Sequence, residues 1–344
     1  MRAIILAMKV SEMGEFRLVE LLARIAEEGQ CKQSAHRQRL VIGIGDDAAA
    51  WRSDALITLA TVDCLVQDVH FTLDMTTWNE LGWKALAISL SDIAAMGGVP
   101  QYVIVSLGLP GDTEVDDVAD LYRGIIKLGN RFGIVIIGGN ISDATIAFIS
   151  TTVLGSATGQ DNILTRSAAR AGDRIAVTGN LGAAAAGMEM LKQKMPLSPE
   201  DSASLRQAFL RPCPRIAEGQ LLAEQGVKAA IDISDGLIAD LSHLCRASRV
   251  GARIDIDRIP IHPAVKNGFG DSFLEMALSG GEDYELLFTA STGVIDMVKT
   301  RASFPVTVIG EVVADKTGMV TLVDREGRPY KPAGAGWQHF AMGS

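Results

Sequence analysis

Short apolar runs of strand length alternate with longer amphipathic segments through both halves of this chain. In residues 16–28, for example, Leu18, Leu21, Leu22 and Ile25 recur at helical spacing. The two kinds of segment alternate without a strict period, and no repeat of about 20 to 50 residues is visible. This alternation predicts a mixed α/β or α+β fold rather than a simple doubly wound sheet.

The ends of the apolar runs predict where the individual elements lie. Helices are expected at 16–28, 78–96, 114–132, 181–192 and 237–249. Strands are expected at 41–47, 56–62, 102–109, 134–137, 146–155, 173–178, 252–256, 284–289 and 306–313. Pro212 and Pro214 separate two further helices, and the polar residues 194–202 predict a surface loop.

A chain of 344 residues is long enough for two domains of ordinary size. The pattern divides into an N-terminal domain at 14–158 and a C-terminal α/β domain at 159–344. Residues 1–13 are interpreted as an N-terminal extension, because the first well-formed helix begins after Met13.

Charge and cysteine content exclude several classes of function. The formal net charge of −9 argues against a broad nucleic-acid-binding surface. The apolar run 3–8 is far too short to span a bilayer, and no small-residue cleavage site follows it. The four cysteines lack Cys-x-x-Cys spacing, so neither a zinc site nor a disulfide framework is predicted. We therefore expect a cytoplasmic protein that binds neither nucleic acid nor membrane.

Acidic residues recur beside glycines and at the ends of apolar runs. The positions are Asp46, Asp47, Asp63, Asp92, Asp143, Asp232 and Asp235. Hard carboxylate oxygens without accompanying histidine or cysteine suit Mg²⁺. Since Mg²⁺ usually accompanies a nucleotide phosphate, the pattern predicts phosphoryl transfer.

Two of these aspartates fall in apolar surroundings. Asp63 is placed at the end of a predicted buried strand, and Asp92 lies in an otherwise apolar helix. A carboxylate in such a place is costly to bury unless it is paired or binds a metal. A solvent-facing Asp92 is the alternative, as is a hairpin turn with solvated side chains for Asp46 and Asp47.

Residues 231–237 form the most distinctive acidic segment. Alternation along a strand places Asp232 and Ser234 on one face, and Asp235 is expected to cap the following helix. Capping accounts for Asp235 but leaves Asp232, between two isoleucines, unexplained. In residues 280–285 two glycines precede three acidic residues, for which a plain turn is the alternative.

Three further residues are candidates for ligand contacts. Arg166 offers a guanidinium suited to phosphate, although most arginines in such settings are surface residues. His70 and Trp337 would ordinarily be structural. The chain lacks a GxxxxGK[ST] phosphate loop, a GxGxxG turn and the HRD and DFG signatures of protein kinases. Any ATP site therefore uses another architecture.

A series of motifs resembles a known family. In order they are GIGDDAA, TVDCLVQDVHF, LSDIAAMGG, GGN, LTRS, DISDGL and GGEDYEL. The series resembles the thiamine-monophosphate kinase family over about residues 14–340, within the aminoimidazole-ribonucleotide synthetase-like superfamily. The resemblance implies the two-domain fold of that superfamily, with mixed sheets flanked by helices. It also implies that the N-terminal domain forms a homodimer and that the C-terminal domain covers a cleft.

The same resemblance implies an activity and a set of site residues. The activity is ATP-dependent phosphorylation of thiamine monophosphate to thiamine diphosphate, the last step of thiamine diphosphate biosynthesis, with several Mg²⁺ ions. The implied metal ligands are Asp47, Thr61, Asp63, Asp92, Asn140, Asp232 and Asp235. The implied nucleotide contacts are Tyr102, Gly139, Asn140, Arg166 and Ser234. The residues implied to lie near the thiamine phosphate are His70, Glu282 and Trp337.

Asn140 departs from the family pattern, in which many members have aspartate. Asparagine keeps an oxygen donor but loses the charge, so one metal ion is expected to bind more weakly. The attacking phosphate oxygen would already be ionised near neutral pH, so no general base and no covalent enzyme intermediate are expected.

Two alternatives remain open. The first is another ATP-dependent enzyme of the superfamily, such as aminoimidazole-ribonucleotide synthetase, which the GGEDYEL segment disfavours. The second is a nucleotide-binding regulator without turnover, and Asn140 is the one feature of the sequence that favours it.

Overall fold

The chain forms two compact units, each built on its own sheet. The computed structural model describes residues 8–13, 15–30, 32, 34–42, 50–51, 57–314, 317–334 and 336. Unit 1 comprises Met1–Ile93 and Val99–Thr158, and unit 2 comprises Ala94–Gly98 and Gly159–Ser344. Each unit combines helices with a mixed sheet, so the predicted fold class is confirmed.

Unit 1 contains a four-stranded sheet and two long helices. Its helices are α1 (Val10–Met13), α2 (Glu15–Gly29), α3 (Ala35–Arg39), α4 (Trp78–Ala95) and α5 (Val115–Phe132). Its strands are β1 (Leu40–Ile42), β2 (Ala50–Trp51), β3 (Ile57–Val66), β4 (Val99–Leu109), β5 (Val135–Asp143) and β6 (Phe148–Ala157). The sheet order is β3-β6-β4-β5, in which only β4 and β5 run parallel, and β1 pairs separately with β2.

Helices α4 and α5 touch through their backbones at two glycines. A Cβ atom on Gly82 would lie 1.9 Å from the carbonyl oxygen of Leu121. A Cβ atom on Gly124 would lie 2.0 Å from the carbonyl oxygen of Asn79. Since real Cβ atoms do not approach backbone atoms so closely, only glycine allows this crossing. The contact sets the position of α4, which carries one of the candidate site residues.

Two strands of unit 1 are longer than the sequence predicts. Strand β3 continues past Asp63 to Val66, and it is half exposed rather than buried because it is an edge strand. Strand β5 continues through Gly138 and Gly139, which were expected to end it. A Cβ atom on Gly139 would lie 2.0 Å from the carbonyl oxygen of Val105 on β4. The glycine therefore serves a close approach of two strands rather than a turn.

Unit 2 contains a seven-stranded sheet. Its helices are α6 (Ala183–Gln193), α7 (Pro199–Leu210), α8 (Ile216–Glu224), α9 (Leu237–Ser248), α10 (Pro263–Gly268), α11 (Phe273–Ser279) and α12 (Thr292–Arg301). Its strands are β7 (Arg174–Thr178), β8 (Ala229–Asp232), β9 (Gly251–Asp255), β10 (Leu286–Ala290), β11 (Val306–Val313), β12 (Val320–Val323) and β13 (Pro329–Tyr330). The order is β13-β12-β9-β11-β7-β10-β8, and only β12 and β9 are parallel neighbours.

The core of unit 2 lies between this sheet and α9. Val177, Ile231 and Leu287 of three adjacent strands belong to one buried cluster with Leu241 and Leu244. Strand β8 therefore ends inside a well-packed region, and Asp232 is its last residue.

One predicted loop of unit 2 is partly helical. Helix α7 begins at Pro199, within the polar stretch 194–202, because Ser198 accepts a hydrogen bond from the Asp201 N–H at 3.0 Å. Proline at the first helical position loses no hydrogen bond, which makes Ser-Pro a start signal rather than a loop signal. No helix within the described part of the chain is long and apolar enough to cross a membrane.

The glycine contact between α4 and α5 can be tested by a single methyl group. We expect Gly82→Ala and Gly124→Ala each to lower the free energy of unfolding by about 3 kcal/mol, the upper end of overpacking costs. Urea denaturation measures the change. Gly293→Ala in α12 is the matched control, because no atom lies within 4 Å of its added Cβ. Equal stabilities for the Gly82→Ala and Gly293→Ala variants would contradict this account.

Candidate functional site

Asp63 and Asp92 form a carboxylate pair in unit 1. Thr61 and Asp63 lie two residues apart on β3 and therefore share one strand face, and the Thr61 hydroxyl donates a hydrogen bond to Asp92 Oδ2 at 2.5 Å. Asp63 Oδ2 is buried and has no hydrogen-bond partner within the described residues. Burial and the neighbouring charge of Asp92 raise the pKa of Asp63 to about 6. Both effects disfavour the charged form, so a bound cation would stabilise the pair.

Helix α4 is fixed to the sheet beside this pair. Thr151 on β6 stands opposite Asp63 on β3. Its hydroxyl donates to the carbonyl oxygen of Ala85 at 2.7 Å, and the Ser89 hydroxyl donates to its carbonyl oxygen at 3.0 Å. These buried hydrogen bonds attach α4 to the sheet at Ala85 and Ser89, in the turns of the helix that precede Asp92. The close approach of the two carboxylates is therefore built into the helix–sheet contact.

The donor set around Asp63 fits a hard cation. A buried carboxylate oxygen without a partner, a second carboxylate and a hydroxyl are oxygen ligands of the kind that Mg²⁺ takes. Among the described residues, no group of three or more histidine, cysteine, aspartate or glutamate side chains could hold a metal ion. Asp47, the further predicted ligand in this half, lies outside the described residues.

The remaining candidates of unit 1 lie in different settings. Asn140 is exposed on β5, and its side-chain amide donates to the Ser142 hydroxyl at 3.1 Å. His70 follows β3, and its Nδ1 atom accepts a hydrogen bond from the Val66 N–H at 3.1 Å. This bond places the proton of the neutral ring on Nε2. Tyr102 is 1% exposed, and its hydroxyl donates to the carbonyl oxygen of His36 at 3.2 Å, a core position.

In unit 2, residues 232–236 and 280–285 lie side by side. Three backbone hydrogen bonds join them: Ile233 N–H to Glu285 O at 2.8 Å, Tyr284 N–H to Ile233 O at 2.9 Å, and Glu282 N–H to Ser234 O at 2.7 Å. Glu282 and Tyr284 have φ values of 67° and 50°, a region that costs free energy for residues other than glycine. The structure thus brings two sequence motifs, about fifty residues apart, into one acidic loop pair.

Two details of the 231–237 prediction are wrong. Strand β8 ends at Asp232, so Ser234 lies beyond the strand and does not share a strand face with it. Helix α9 has Gly236 at its N-cap, and no side chain caps it, so Asp235 does not play that role. Instead, Asp240 Oδ2 accepts hydrogen bonds from the N–H groups of Ser234, Asp235 and Gly236 at 3.0, 3.0 and 3.1 Å.

Asp232 and Asp240 are both buried, at 3% and 2% exposure. Burial and the charges of Asp232 and Asp235 raise the pKa of Asp240 to about 8, although the N–H groups of Asp235 and Gly236 act in the opposite direction. Three acidic side chains therefore crowd around the turn between β8 and α9.

The last candidates lie outside this loop pair or beyond the described residues. Arg166 is exposed, and its carbonyl oxygen accepts a hydrogen bond from the Ser248 hydroxyl at 2.7 Å. Trp337 lies outside the described residues. Gly336, directly before it, sits against α9, since a Cβ atom there would lie 2.7 Å from Ala239 Cβ and 2.8 Å from Asp235 O. The chain thus reaches the β8–α9 turn just before Trp337.

Comparison with known proteins agrees with this arrangement. Residues 45–157 match the family described as AIR synthase related protein, N-terminal domain, and residues 170–323 match its C-terminal domain. The chain is 40% identical to thiamine-monophosphate kinase of Salmonella typhimurium over 308 residues, covering 87% of this chain and 92% of the relative. The chain belongs to the thiamine-monophosphate kinase family.

Two solved structures show the same family likeness. Thiamine-monophosphate kinase from Stenotrophomonas maltophilia K279a is 35% identical, with a TM-score of 0.78 over 89% of this chain and 96% of that one. A structure described as AaThiL complexed with AMPPCP and TMP is 31% identical, with a TM-score of 0.73 over 97% of this chain and 100% of that one. Membership of the thiamine-monophosphate kinase family makes this chain an enzyme, as the motifs predicted.

The structure adds buried residues that the motif comparison did not single out. Asp283 accepts hydrogen bonds from the N–H groups of Gly182 and Ala184 at the start of α6, at 2.7 and 3.3 Å. Burial raises the pKa of Asp283 to about 7. Glu285 accepts two hydrogen bonds from Arg215, at 2.8 and 2.5 Å, and one from the Thr178 hydroxyl at 2.6 Å. Both side chains anchor the 280–285 loop to other elements of unit 2.

Only part of this anchoring was visible in the sequence. Asp283 and Glu285 stand inside a motif, but nothing local distinguishes an anchor from a ligand. Asp240 interrupts the apolar face of α9, and a carboxylate on an apolar helix is the one signal that could have found it. The donors to Asp283 and Glu285 come from distant parts of the chain, so their identity follows from the fold alone.

The Arg215–Glu285 pair should be costly to break. Glu285 has a side chain only 4% exposed, so Arg215→Met is expected to lower the free energy of unfolding by about 3–5 kcal/mol, as removal of one partner of a buried pair does. Urea denaturation measures the loss. The double variant Arg215→Met/Glu285→Leu should recover most of it.

The matched control for this pair is Arg328→Met. Arg328 is 73% exposed and paired with Asp324 and Glu326 on the surface, so its loss should cost less than about 1 kcal/mol. An Arg215→Met variant as stable as Arg328→Met would show that the buried pair contributes nothing.

The electrostatic repulsion between Asp63 and Asp92 predicts that removing one charge stabilises the metal-free fold and weakens cation binding. Without divalent metal, Asp63→Asn is expected to raise Tm by about 2 °C or more, because it removes a buried like charge. Mg²⁺ should raise Tm of the unaltered chain and raise that of the variant less, since a ligand stabilises the state that binds it. Thermal unfolding with EDTA and with MgCl₂ measures both effects. An equal Mg²⁺-induced increase of Tm in the unaltered chain and in Asp63→Asn would contradict a cation site at Asp63.

Proposed function

We propose that this chain transfers the γ-phosphoryl group of ATP to the phosphate of thiamine monophosphate and releases thiamine diphosphate. The observation that carries the proposal is the buried, unpartnered Asp63 oxygen beside Asp92, an arrangement that calls for a cation. The relatives supply the substrate class, because the Salmonella typhimurium relative is named a thiamine-monophosphate kinase and a solved neighbour is described with AMPPCP and TMP.

The proposed metal ligands are oxygen donors named from the family resemblance. In unit 1 they are Asp47, Thr61, Asp63, Asp92 and Asn140, and in unit 2 they are Asp232 and Asp235. Bound Mg²⁺ would neutralise the charge of the two phosphate groups and align them for in-line transfer. Asn140 donates its amide N–H to Ser142, so it offers a neutral oxygen at most. We therefore expect the ion nearest Asn140 to be held more weakly than in relatives with aspartate at this position.

The remaining candidate residues would bind and orient the two substrates. Gly139, Asn140, Arg166 and Ser234 are proposed to contact the nucleotide. Tyr102 is proposed with them only as a looser candidate, because its side chain is buried in the core of unit 1. His70, Glu282 and Trp337 are proposed for the thiamine phosphate.

Two of these residues are held before any substrate binds. The backbone of Glu282 is fixed by its bond to Ser234 O, and the ring of His70 by its bond to the Val66 N–H. Residues held in this way lose little freedom when they bind a ligand.

Proton transfer by a side chain is not needed for this reaction. The attacking group is a phosphate oxygen that is already ionised near neutral pH, so the chain has to position two anions rather than activate a nucleophile. We propose direct transfer without a covalent enzyme intermediate. A phosphorylated enzyme trapped during ATP turnover would contradict this step.

The biological setting follows from the activity. We propose that the enzyme carries out the last step of thiamine diphosphate biosynthesis in the cytoplasm, and that it acts as a homodimer formed through its N-terminal domain at 14–158. The exposed face of edge strand β3, where Val62 is 61% exposed, supports a role for this domain in pairing.

A nucleotide-binding regulator without turnover is the second candidate. It is favoured by Asn140 alone, since the loss of one carboxylate weakens a metal site without removing the scaffold. Turnover therefore separates the two candidates.

The proposed activity predicts metal-dependent formation of thiamine diphosphate. Purified protein with ATP, MgCl₂ and thiamine monophosphate should yield product, and EDTA should stop it. Asp232→Asn should lower kcat/KM by about 100-fold or more, since loss of one electrostatic contact to the reacting groups costs roughly 3 kcal/mol. Chromatography of the thiamine phosphates measures the product.

Asp296→Asn, on the exposed side of α12, is the control and should keep full activity. ATP binding without product would favour the regulator. ATP hydrolysis that ignores thiamine monophosphate would favour another enzyme of the superfamily.

A further inference from the structure

One buried side chain holds the whole turn between β8 and α9. A single oxygen of Asp240 accepts hydrogen bonds from three successive N–H groups, those of Ser234, Asp235 and Gly236, at 3.0 to 3.1 Å. The backbone N–H of Asp240 itself donates to the carbonyl oxygen of Gly236 at 3.0 Å. Asp240 is 2% exposed, so these bonds form away from solvent.

Three converging N–H groups make a concave site that attracts anions. Such arrangements bind phosphate in many nucleotide-binding proteins. Here the carboxylate of Asp240 fills the concavity from within the chain, so the amides of residues 234–236 are closed to a phosphate group of a substrate. What this turn can offer a ligand is its side chains, those of Asp232 and Asp235 included.

The opposite side of the turn is tied down as well. The carbonyl oxygens of Ile233 and Ser234 accept hydrogen bonds from Tyr284 and Glu282, and the Ile233 N–H donates to Glu285 O. Every backbone N–H from 233 to 236 is therefore used inside unit 2. Asp240 supplies the acceptor for three of those four groups, so its removal would leave one buried and two partly buried N–H donors without that acceptor.

We propose that Asp240 is a positioning residue that fixes the backbone of residues 234–236 so that Asp232 and Asp235 are held ready for a divalent cation. The inference rests on the proposed function, since it takes Asp232 and Asp235 as metal ligands. Partners behind metal ligands typically change metal affinity by about 10–100-fold when they are removed. This positioning role requires an acceptor oxygen on the side chain at position 240. It does not require a negative charge, because the turn is held by hydrogen bonds from the N–H groups of residues 234–236.

The test compares Asp240→Ala with Asp240→Asn in the full-length protein. Mn²⁺ serves as the probe, and its dissociation constant is measured by electron paramagnetic resonance without substrates. Asp240→Ala should weaken Mn²⁺ binding by about 10–100-fold. Asp240→Asn keeps a side-chain oxygen that can accept hydrogen bonds from the three N–H groups. Its Mn²⁺ dissociation constant should therefore remain within about threefold of that of the unaltered chain.

Amide hydrogen exchange gives a readout that does not depend on metal. The amides of 234–236 should exchange faster in Asp240→Ala, while those of β8 at 229–231 keep their protection. The serine side chain is too short for its hydroxyl to reach the three N–H groups. Asp240→Ser therefore replaces Asp240→Ala in both measurements if the alanine variant does not fold.

Two controls separate this role from general damage and from failure of the proposed function. Asp324→Ala removes a carboxylate that accepts a backbone hydrogen bond elsewhere in unit 2, from the Arg328 N–H at 2.8 Å, and it should leave Mn²⁺ affinity unchanged. Asp232→Asn should weaken Mn²⁺ binding. If it does not, the proposed metal role of this segment fails, and the exchange of amides 234–236 alone decides whether Asp240 positions the turn.

Three results would overturn the inference. They are unchanged Mn²⁺ affinity in Asp240→Ala when Asp232→Asn binds weakly, equal losses in Asp240→Asn and Asp240→Ala, and unchanged exchange at 234–236.

Discussion

The free-energy cost of burying a carboxylate organises the acidic residues of this enzyme. In unit 2 the chain meets the cost with its own donors, which are three backbone amides for Asp240 and a guanidinium for Glu285. In unit 1 the described residues supply no partner for Asp63 Oδ2, and a second carboxylate lies beside it. The same residue type is therefore satisfied where internal donors exist and keeps an unpartnered buried oxygen where they do not.

Anchors and strained backbone positions are neighbours in the same motif. In the 280–285 loop, Asp283 and Glu285 bind α6 and Arg215, whereas Glu282 and Tyr284 have strained backbone conformations. Backbone strain of this kind persists only where surrounding contacts over-determine the conformation. The anchors supply those contacts, which explains why a short segment contains so many acidic residues.

Close approach of backbones is the second constraint, and it accounts for much of the glycine content. Gly82 and Gly124 let two helices touch, Gly139 lets two strands approach, and Gly179 leaves room for the buried carboxylate of Glu285, whose Oε1 would lie 2.0 Å from an added Cβ. The sequence predicts a turn at Gly139, but in the structure this glycine lies within the continuous strand β5. Local sequence cannot separate the two roles, because the atom that excludes a side chain belongs to another segment.

Local sequence patterns predict the fold class, most of the long helices and strands, and the motifs that carry the family resemblance. These follow from periodicity and short-range chemistry, which act within a few residues. The full length of β3 and β5, the start of α7 and the absence of an Asp235 cap were not predicted. Edge exposure and packing against other elements decided the strands, and Asp240 binds the N–H groups that precede α9 while no side chain caps the helix.

Only the tertiary structure decided which acidic side chains face donors and which do not. Asp63 and Asp92 are brought together because Thr151 fixes α4 against β3 and β6. Asp240 and Asp235 differ in role although they are five residues apart, since one finds three amides and the other does not. Hydrogen bonding and Coulomb interactions act over a few ångströms in space, so partners far apart in sequence, such as Thr151 and α4, meet only in the fold.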